Sequence, residues 1–114
     1  MSGSVDRGAR TRLPVAGEEE RGSLEPRYAI TAVAARVGVH EATVRRYEAF
    51  GLIEARAIES GERLYSEADV DRARRARRLV NDLGVNLAGA AAILHLREQL
   101  LDLQRELRRL HDRV

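Results

Sequence analysis

His40-Glu41-Ala42-Thr43-Val44-Arg45-Arg46-Tyr47-Glu48-Ala49-Phe50-Gly51 is the stretch whose reading decides the fold. It reads as a short helix that begins near His40 or Glu41, runs to Phe50 and stops at Gly51. Just upstream, Ile30-Thr31-Ala32-Val33-Ala34-Ala35-Arg36-Val37-Gly38 reads as another. Thr31 is its expected N-cap, Val33, Ala34 and Val37 recur at helical spacing, and Gly38 suits the left-handed turn that ends it. Two short helices joined by a tight glycine-containing turn fit a helix-turn-helix, although an αα-hairpin in any small bundle has the same spacing. The polar face of the second helix separates the two. Thr43, Arg45, Arg46 and Tyr47 set a hydroxyl, two guanidinium forks and a phenol close together, the groups that reach phosphates and base edges in a major groove.

Downstream, Leu52 to Ile58 and Arg63-Leu64-Tyr65 flank the turn-rich Glu59-Ser60-Gly61-Glu62, a pattern that closes a two-stranded hairpin. Such a hairpin stands where a wing would lie, with Arg56 and Arg63 as expected phosphate contacts and Tyr65 beside them. A third helix is expected from Ser66, where Ser66-Glu67-Ala68-Asp69 resembles a capping box, to about Leu83. Its expected buried stripe is Val70, Ala73, Ala76 or Arg77, Val80 and Leu83. Arg72, Arg74, Arg75, Arg77 and Arg78 crowd the remainder, either as a phosphate-facing patch or as partners of Asp69 and Asp71.

Gly84 ends that helix and Asn86 caps the next. From there Ile93, Leu96, Leu100, Leu103, Leu107, Leu110 and Val114 are spaced alternately three and four apart, an unbroken heptad seam. A second stripe, Leu87, Ala90, Leu94 and Leu101, is placed to pack back on the head. A head of about sixty residues cannot cover both stripes along a helix of ~38 Å, so the distal seam is expected to meet a second copy.

Composition narrows the function classes. Cysteine is absent, which removes disulfides, thiolate metal sites and thiol nucleophiles. No run approaches ~18 apolar residues and no apolar leader segment opens the chain, so a cytoplasmic protein with no membrane partner is expected. All twenty basic residues are arginine, which suits bidentate contact with phosphate and is equally what a nucleotide bias in the coding DNA would produce. Residues 1–26 hold four glycines, both prolines and the acidic run Glu18-Glu19-Glu20, and read as a disordered arm. The arm's formal charge of −1 within a total of +2 leaves +3 on residues 27–114. His40, His95 and His111 stand apart from any second ligand at metal spacing, and no glycine-rich phosphate loop follows a strand. No enzymatic activity and no cofactor are therefore expected.

The fold class expected is mainly α: a winged helix-turn-helix head over 27–84 with a small β-hairpin wing, then a helical dimerisation segment over 85–114. Residues 28–110 resemble the MerR family of winged-helix regulators through Thr-Val-Arg-x-Tyr-Glu at Thr43 to Glu48, Gly-Leu-Ile at Gly51 to Ile53, and Arg-x-Tyr-Ser at Arg63 to Ser66. Leu83-Gly84-Val85-Asn86-Leu87-Ala88-Gly89 before a leucine-rich helix resembles the HspR branch of heat-shock repressors. That resemblance implies a homodimer, paired antiparallel, that represses chaperone genes at an inverted repeat in double-stranded DNA, with the chaperone DnaK as a partner. The second half is also similar to the CbpM chaperone modulators, which bind a J-domain co-chaperone in place of DNA. The Thr43 to Glu48 run favours the DNA reader. Arg46 stands where many metal- and drug-sensing members have an aromatic residue, and Ala55 where a proline is common. No effector domain or cysteine-bearing metal loop follows in the sequence, so drug or thiolate-metal sensing is not expected.

Overall fold

The computed structural model describes residues 23–113. In chain order these form α1 (Ile30–Val37), α2 (Glu41–Ala49), the antiparallel pair β1 (Arg56–Ala57) and β2 (Arg63–Leu64), α3 (Glu67–Leu83) and α4 (Leu87–Asp112). The mainly α head with a small wing and a long C-terminal helix is thus present. Most of the expected arm, residues 1–22, lies outside the described residues. The backbone N–H groups of Arg27 and Tyr28 donate to the Tyr65 carbonyl at 2.9 and 2.8 Å, and the Tyr65 N–H returns a bond to Tyr28 at 2.7 Å. The start of the head is thereby tied to the strand that leaves the wing.

Helix α1 starts one residue earlier than its expected cap. Ala29 holds the N-cap position with no side-chain bond, its carbonyl accepting from Ala32 and Val33, so Thr31 lies inside the first turn and faces solvent. Gly38 closes the helix at φ 85°, a left-handed conformation that glycine adopts at little cost. The chain then turns directly into α2, where His40 occupies the N-cap without a side-chain bond. Val33, Ala34 and Val37 of α1 and Val44 and Tyr47 of α2 are buried together.

Helix α3 is the spine. Its capping box is complete: Ser66 Oγ accepts from the Asp69 N–H at 3.2 Å and the Ser66 N–H donates back to Asp69 Oδ2 at 3.0 Å. Val70, Ala73 and Ala76 are fully buried, while Val80 is half-buried. Leu83 departs from the expected stripe and is 71% exposed. Gly84 turns the chain away immediately after it, and the Leu83 side chain is left uncovered although Val80 still packs on the core.

The elbow between α3 and α4 explains the Gly-Val-Asn-Leu-Ala-Gly motif. Gly84 takes a left-handed φ of 69°, Val85 is half-buried against the core, and Asn86 Oδ1 caps α4 by accepting from the Gly89 N–H at 2.7 Å. A side chain at Gly89 would place its Cβ 2.8 Å from Val85 Cγ1 and 3.2 Å from Asn86 Oδ1. Beyond the elbow, Leu87, Ala90 and Leu94 pack into the head and Leu101 is half-buried. Ile93, Leu96, Leu100, Leu103, Leu107 and Leu110 are exposed, between 41 and 67%.

Gly89→Ala should destabilise the fold by the order of 1 kcal/mol, because a crowding cost of ~1–3 kcal/mol exceeds the ~1 kcal/mol gained in helix propensity. Val85 is β-branched and cannot swing aside easily, and Asn86 cannot move without losing its cap. Asn86→Ala alone should cost about 1 kcal/mol. Urea unfolding of the two single variants and the double variant should show a smaller Gly89→Ala effect once the cap is gone; additive losses would contradict the elbow geometry.

Candidate nucleic-acid interface

Helix α2 presents Arg45 and Arg46 to solvent and Thr43 half-buried at their side. Arg45 Nη2 lies 3.5 Å from the Glu41 carboxylate one turn earlier, a pair exposed on both sides and therefore weakly held. Arg46 has no carboxylate within ion-pair distance among the described residues. On the wing, Arg56 is exposed opposite Leu64 and is likewise without an ion pair, whereas Arg63 Nη2 lies 3.0 Å from Glu48 Oε2.

The two tyrosines expected at the interface lie in the core. Tyr47 is three residues from Val44, so both fall on the buried side of α2, and the tyrosine is 4% exposed. Burial pushes its phenol pKa up, partly opposed by the positive charges of Arg77 and Arg46. Tyr65 is equally buried, and its hydroxyl donates to Glu48 Oε1 at 2.8 Å. Burial and that bond push its pKa up to about 12. Both side chains are thus turned toward the head rather than toward solvent.

Glu48 is the residue that sequence reasoning passed over. Its carboxylate takes the Tyr65 hydroxyl, the Arg63 guanidinium and the Ala55 backbone N–H. Burial alone would raise its pKa, but the bonds from Tyr65, Arg63 and Ala55 and the charge of Arg63 outweigh that and hold it below the usual carboxylate range. One side chain of α2 thus ties the wing to that helix. The signal available was an acid that directly follows Arg45-Arg46-Tyr47, together with alanine at 55: proline there would have no N–H to give.

The arginines of α3 divide between structure and surface. Arg72 Nε donates to the Leu52 carbonyl at 2.5 Å and its guanidinium pairs with Glu98 of α4. Arg74 Nε donates to the Arg36 carbonyl at 3.3 Å and faces Asp71 at 3.9 Å. Arg36 itself stacks 4.3 Å from the centre of the Tyr28 ring, whose hydroxyl donates to Glu67 at 2.6 Å. Arg77 lies over Gly38 at the turn of the two short helices. Arg75 and Arg78 have no ion-pair partner among the described residues. Among those residues no helix is long and apolar enough to cross a membrane.

A tight helix-turn-helix, a wing locked to its second helix and exposed guanidinium groups on both define a winged helix-turn-helix regulator. Residues 28–96 match the model of the MerR HTH family of regulatory proteins, and the chain belongs to that family. A Streptomyces coelicolor protein to which the name heat shock protein HspR has been given is 35% identical over 79 residues, 69% of this chain and 52% of that protein. The chain spans about half the length of that relative. It is an HspR-like member of the family.

The Glu48 clamp makes a pH prediction. Because its folded pKa is depressed, its contribution is present above the unfolded value of ~4.3 and is lost as pH falls through the folded one. Thermal melts between neutral and acid pH should show a steeper acid loss in the wild type than in Glu48→Gln, which is less stable at neutral pH and flatter below it. Equal slopes would remove Glu48 from the account.

Proposed function

We propose that the chain is a DNA-binding transcriptional regulator, a repressor of heat-shock or chaperone genes, which reads an inverted repeat as a homodimer in the cytoplasm. The observation that carries this reading is the pair of exposed guanidinium groups, Arg45 and Arg46, on the second helix of a helix-turn-helix whose wing holds Arg56 and Arg63. In this reading α2 enters the major groove, Arg45 and Arg46 reach base edges, Thr43 bonds a phosphate, and Arg56 and Arg63 hold the flanking backbone. Tyr47 and Tyr65 keep those groups in place from behind. The exposed leucine seam of α4 pairs two copies, so two heads meet two half-sites related by a two-fold axis. Likeness to a protein named for heat shock supports heat-shock genes as targets, and DnaK is proposed as a partner on the HspR resemblance of the Leu83 to Gly89 motif alone.

Leu103→Asp with Leu107→Asp should give a monomer in sedimentation, since a carboxylate at a buried seam costs several kcal/mol. A wild-type monomer at micromolar concentration would exclude the paired reading.

Fluorescence anisotropy with the repeat, one half-site and a scrambled duplex at two salt concentrations tests the DNA side. Arg45→Ala or Arg46→Ala should cost ~1–3 kcal/mol and relax preference at one position of each half-site. Arg63→Ala should weaken all duplexes alike and lower the salt slope by ~1 per head. Equal weak binding to all three duplexes, with a J-domain protein co-eluting, would replace the regulator with a co-chaperone modulator.

A further inference from the structure

Arg72 holds together two parts of the molecule that the proposed function needs in register. Its Nε donates to the Leu52 carbonyl at 2.5 Å, and its guanidinium pairs with the Glu98 carboxylate on α4. Leu52 is buried, and its own N–H donates to the Tyr47 carbonyl at 2.9 Å, so the carbonyl that Arg72 grips is fixed to the end of α2. Glu98 marks a limit on the other side. Among the described residues, the apolar core takes Leu87, Ala90, Ala91 and Leu94 from α4 and reaches no farther along that helix. Glu98 therefore extends the grip of the head by one turn.

That turn counts because of leverage. Leu87 to Leu94 anchors ~10 Å of helix at ~1.5 Å per residue, and including Glu98 lengthens the anchor to ~16 Å. Held only as far as Leu94, α4 would have ~27 Å free to Asp112, and a swing of ~10° would displace its end by ~5 Å. Successive base pairs are ~3.4 Å apart, so play of that size exceeds one base step. A guanidinium is suited to removing it, since Nε and the two Nη atoms lie in one rigid plane and their bonds keep a fixed angle. A lysine carries the charge on a single flexible point and fixes neither direction.

We infer that Arg72, through Glu98, is the positioning residue that sets the spacing between half-sites: by fixing the exit of α2 to α4, it makes a pair of copies accept one separation of the two halves of an inverted repeat. The inference rests on the DNA-binding reading and adds to it a determinant of specificity that touches no base. Half-site separation follows from how two recognition elements are held relative to one another. A single head on a single half-site has no spacing to satisfy, so Arg72 and Glu98 act only where two heads bind together.

Glu98→Ala is the primary variant, because it cuts the link to α4 and leaves the Leu52 bond and the core in place; Arg72→Lys is the second. Fluorescence anisotropy with a half-site duplex, and with repeats shortened or lengthened by one and two base pairs, reads the spacing. Both variants should bind the half-site as the wild type does, bind the best repeat about tenfold more weakly, and lose most of the discrimination among spacings. The chain has no cysteine, so nitroxides on Ala42→Cys in α2 and Arg108→Cys in α4 report the same geometry without DNA. With labelled chains diluted into excess unlabelled ones, double electron–electron resonance should give a narrow distance distribution in the wild type that broadens in both variants. An unchanged distribution, an unchanged spacing preference, or half-site and repeat affinities that fall in the same proportion would each overturn the proposal. Equally weak binding of the wild type to every duplex would defeat the DNA-binding reading and the spacing role with it, whatever the distances show.

Discussion

The head hangs on the buried stripe of α3. Val70, Ala73 and Ala76 have no exposure, and α3 packs against both α1 and α4. Two of the three are alanine, so neighbouring helices approach closely, and any larger side chain there would force them apart at ~1–3 kcal/mol. Because one stripe receives both neighbours, the helix-turn-helix and the long helix take their orientation from the same rod. The angle between the helix-turn-helix and α4 is thereby fixed through one shared reference, and α3 supplies it without a large core.

Arginine does much of the fastening around this small core. Arg72 reaches from α3 to the Leu52 carbonyl, which follows α2, and to Glu98 on α4, so one guanidinium joins three parts of the chain. Burial pushes its pKa down while Asp69 pulls it back up, and the planar fork keeps its donors occupied. Arg74 satisfies the Arg36 carbonyl at 3.3 Å near the end of α1, and Arg36 covers Tyr28. The basic count of the sequence is therefore a poor measure of its nucleic-acid footprint. A lysine could replace few of these, since each uses the fork or the flat face of the guanidinium group.

Much of this architecture was legible beforehand because it rests on local chemistry. The left-handed glycines at 38 and 84, the Ser66 to Asp69 capping box and the Asn86 cap are short-range signals whose outcome the rest of the fold does not alter. The alternating three-and-four spacing in α4 likewise survives unchanged as an exposed seam. Side-chain direction was less legible. Tyr47 and Tyr65 sit in motifs among cations and read as contacts, but helical spacing from Val44 turns the first inward, and the bond to Glu48 holds the second. A motif mixes residues that read with residues that hold the readers, and letters alone do not sort them. Leu83 and Thr31 were misplaced for a simpler reason: helix ends depend on where neighbouring elements stop, which periodicity does not encode.

The exposed seam states an energetic problem that the single chain does not solve. The head covers Leu87, Ala90 and Leu94, and α4 then runs on for most of its ~39 Å with six large apolar side chains in water. Burying each would gain roughly 1.5–3 kcal/mol, and two copies meeting seam to seam would bury twice the number. Against this stands an association cost of ~4–15 kcal/mol, so the seam would have to be covered along most of its length for pairing to be favoured. Of the charged residues that flank the seam, Glu106 pairs with Arg109 within the same helix, while Arg97 and Arg113 have no carboxylate within ion-pair distance among the described residues. The leucines would supply the energy of any pairing, and the two uncompensated guanidinium groups at the borders would bias it toward a surface that offers carboxylates.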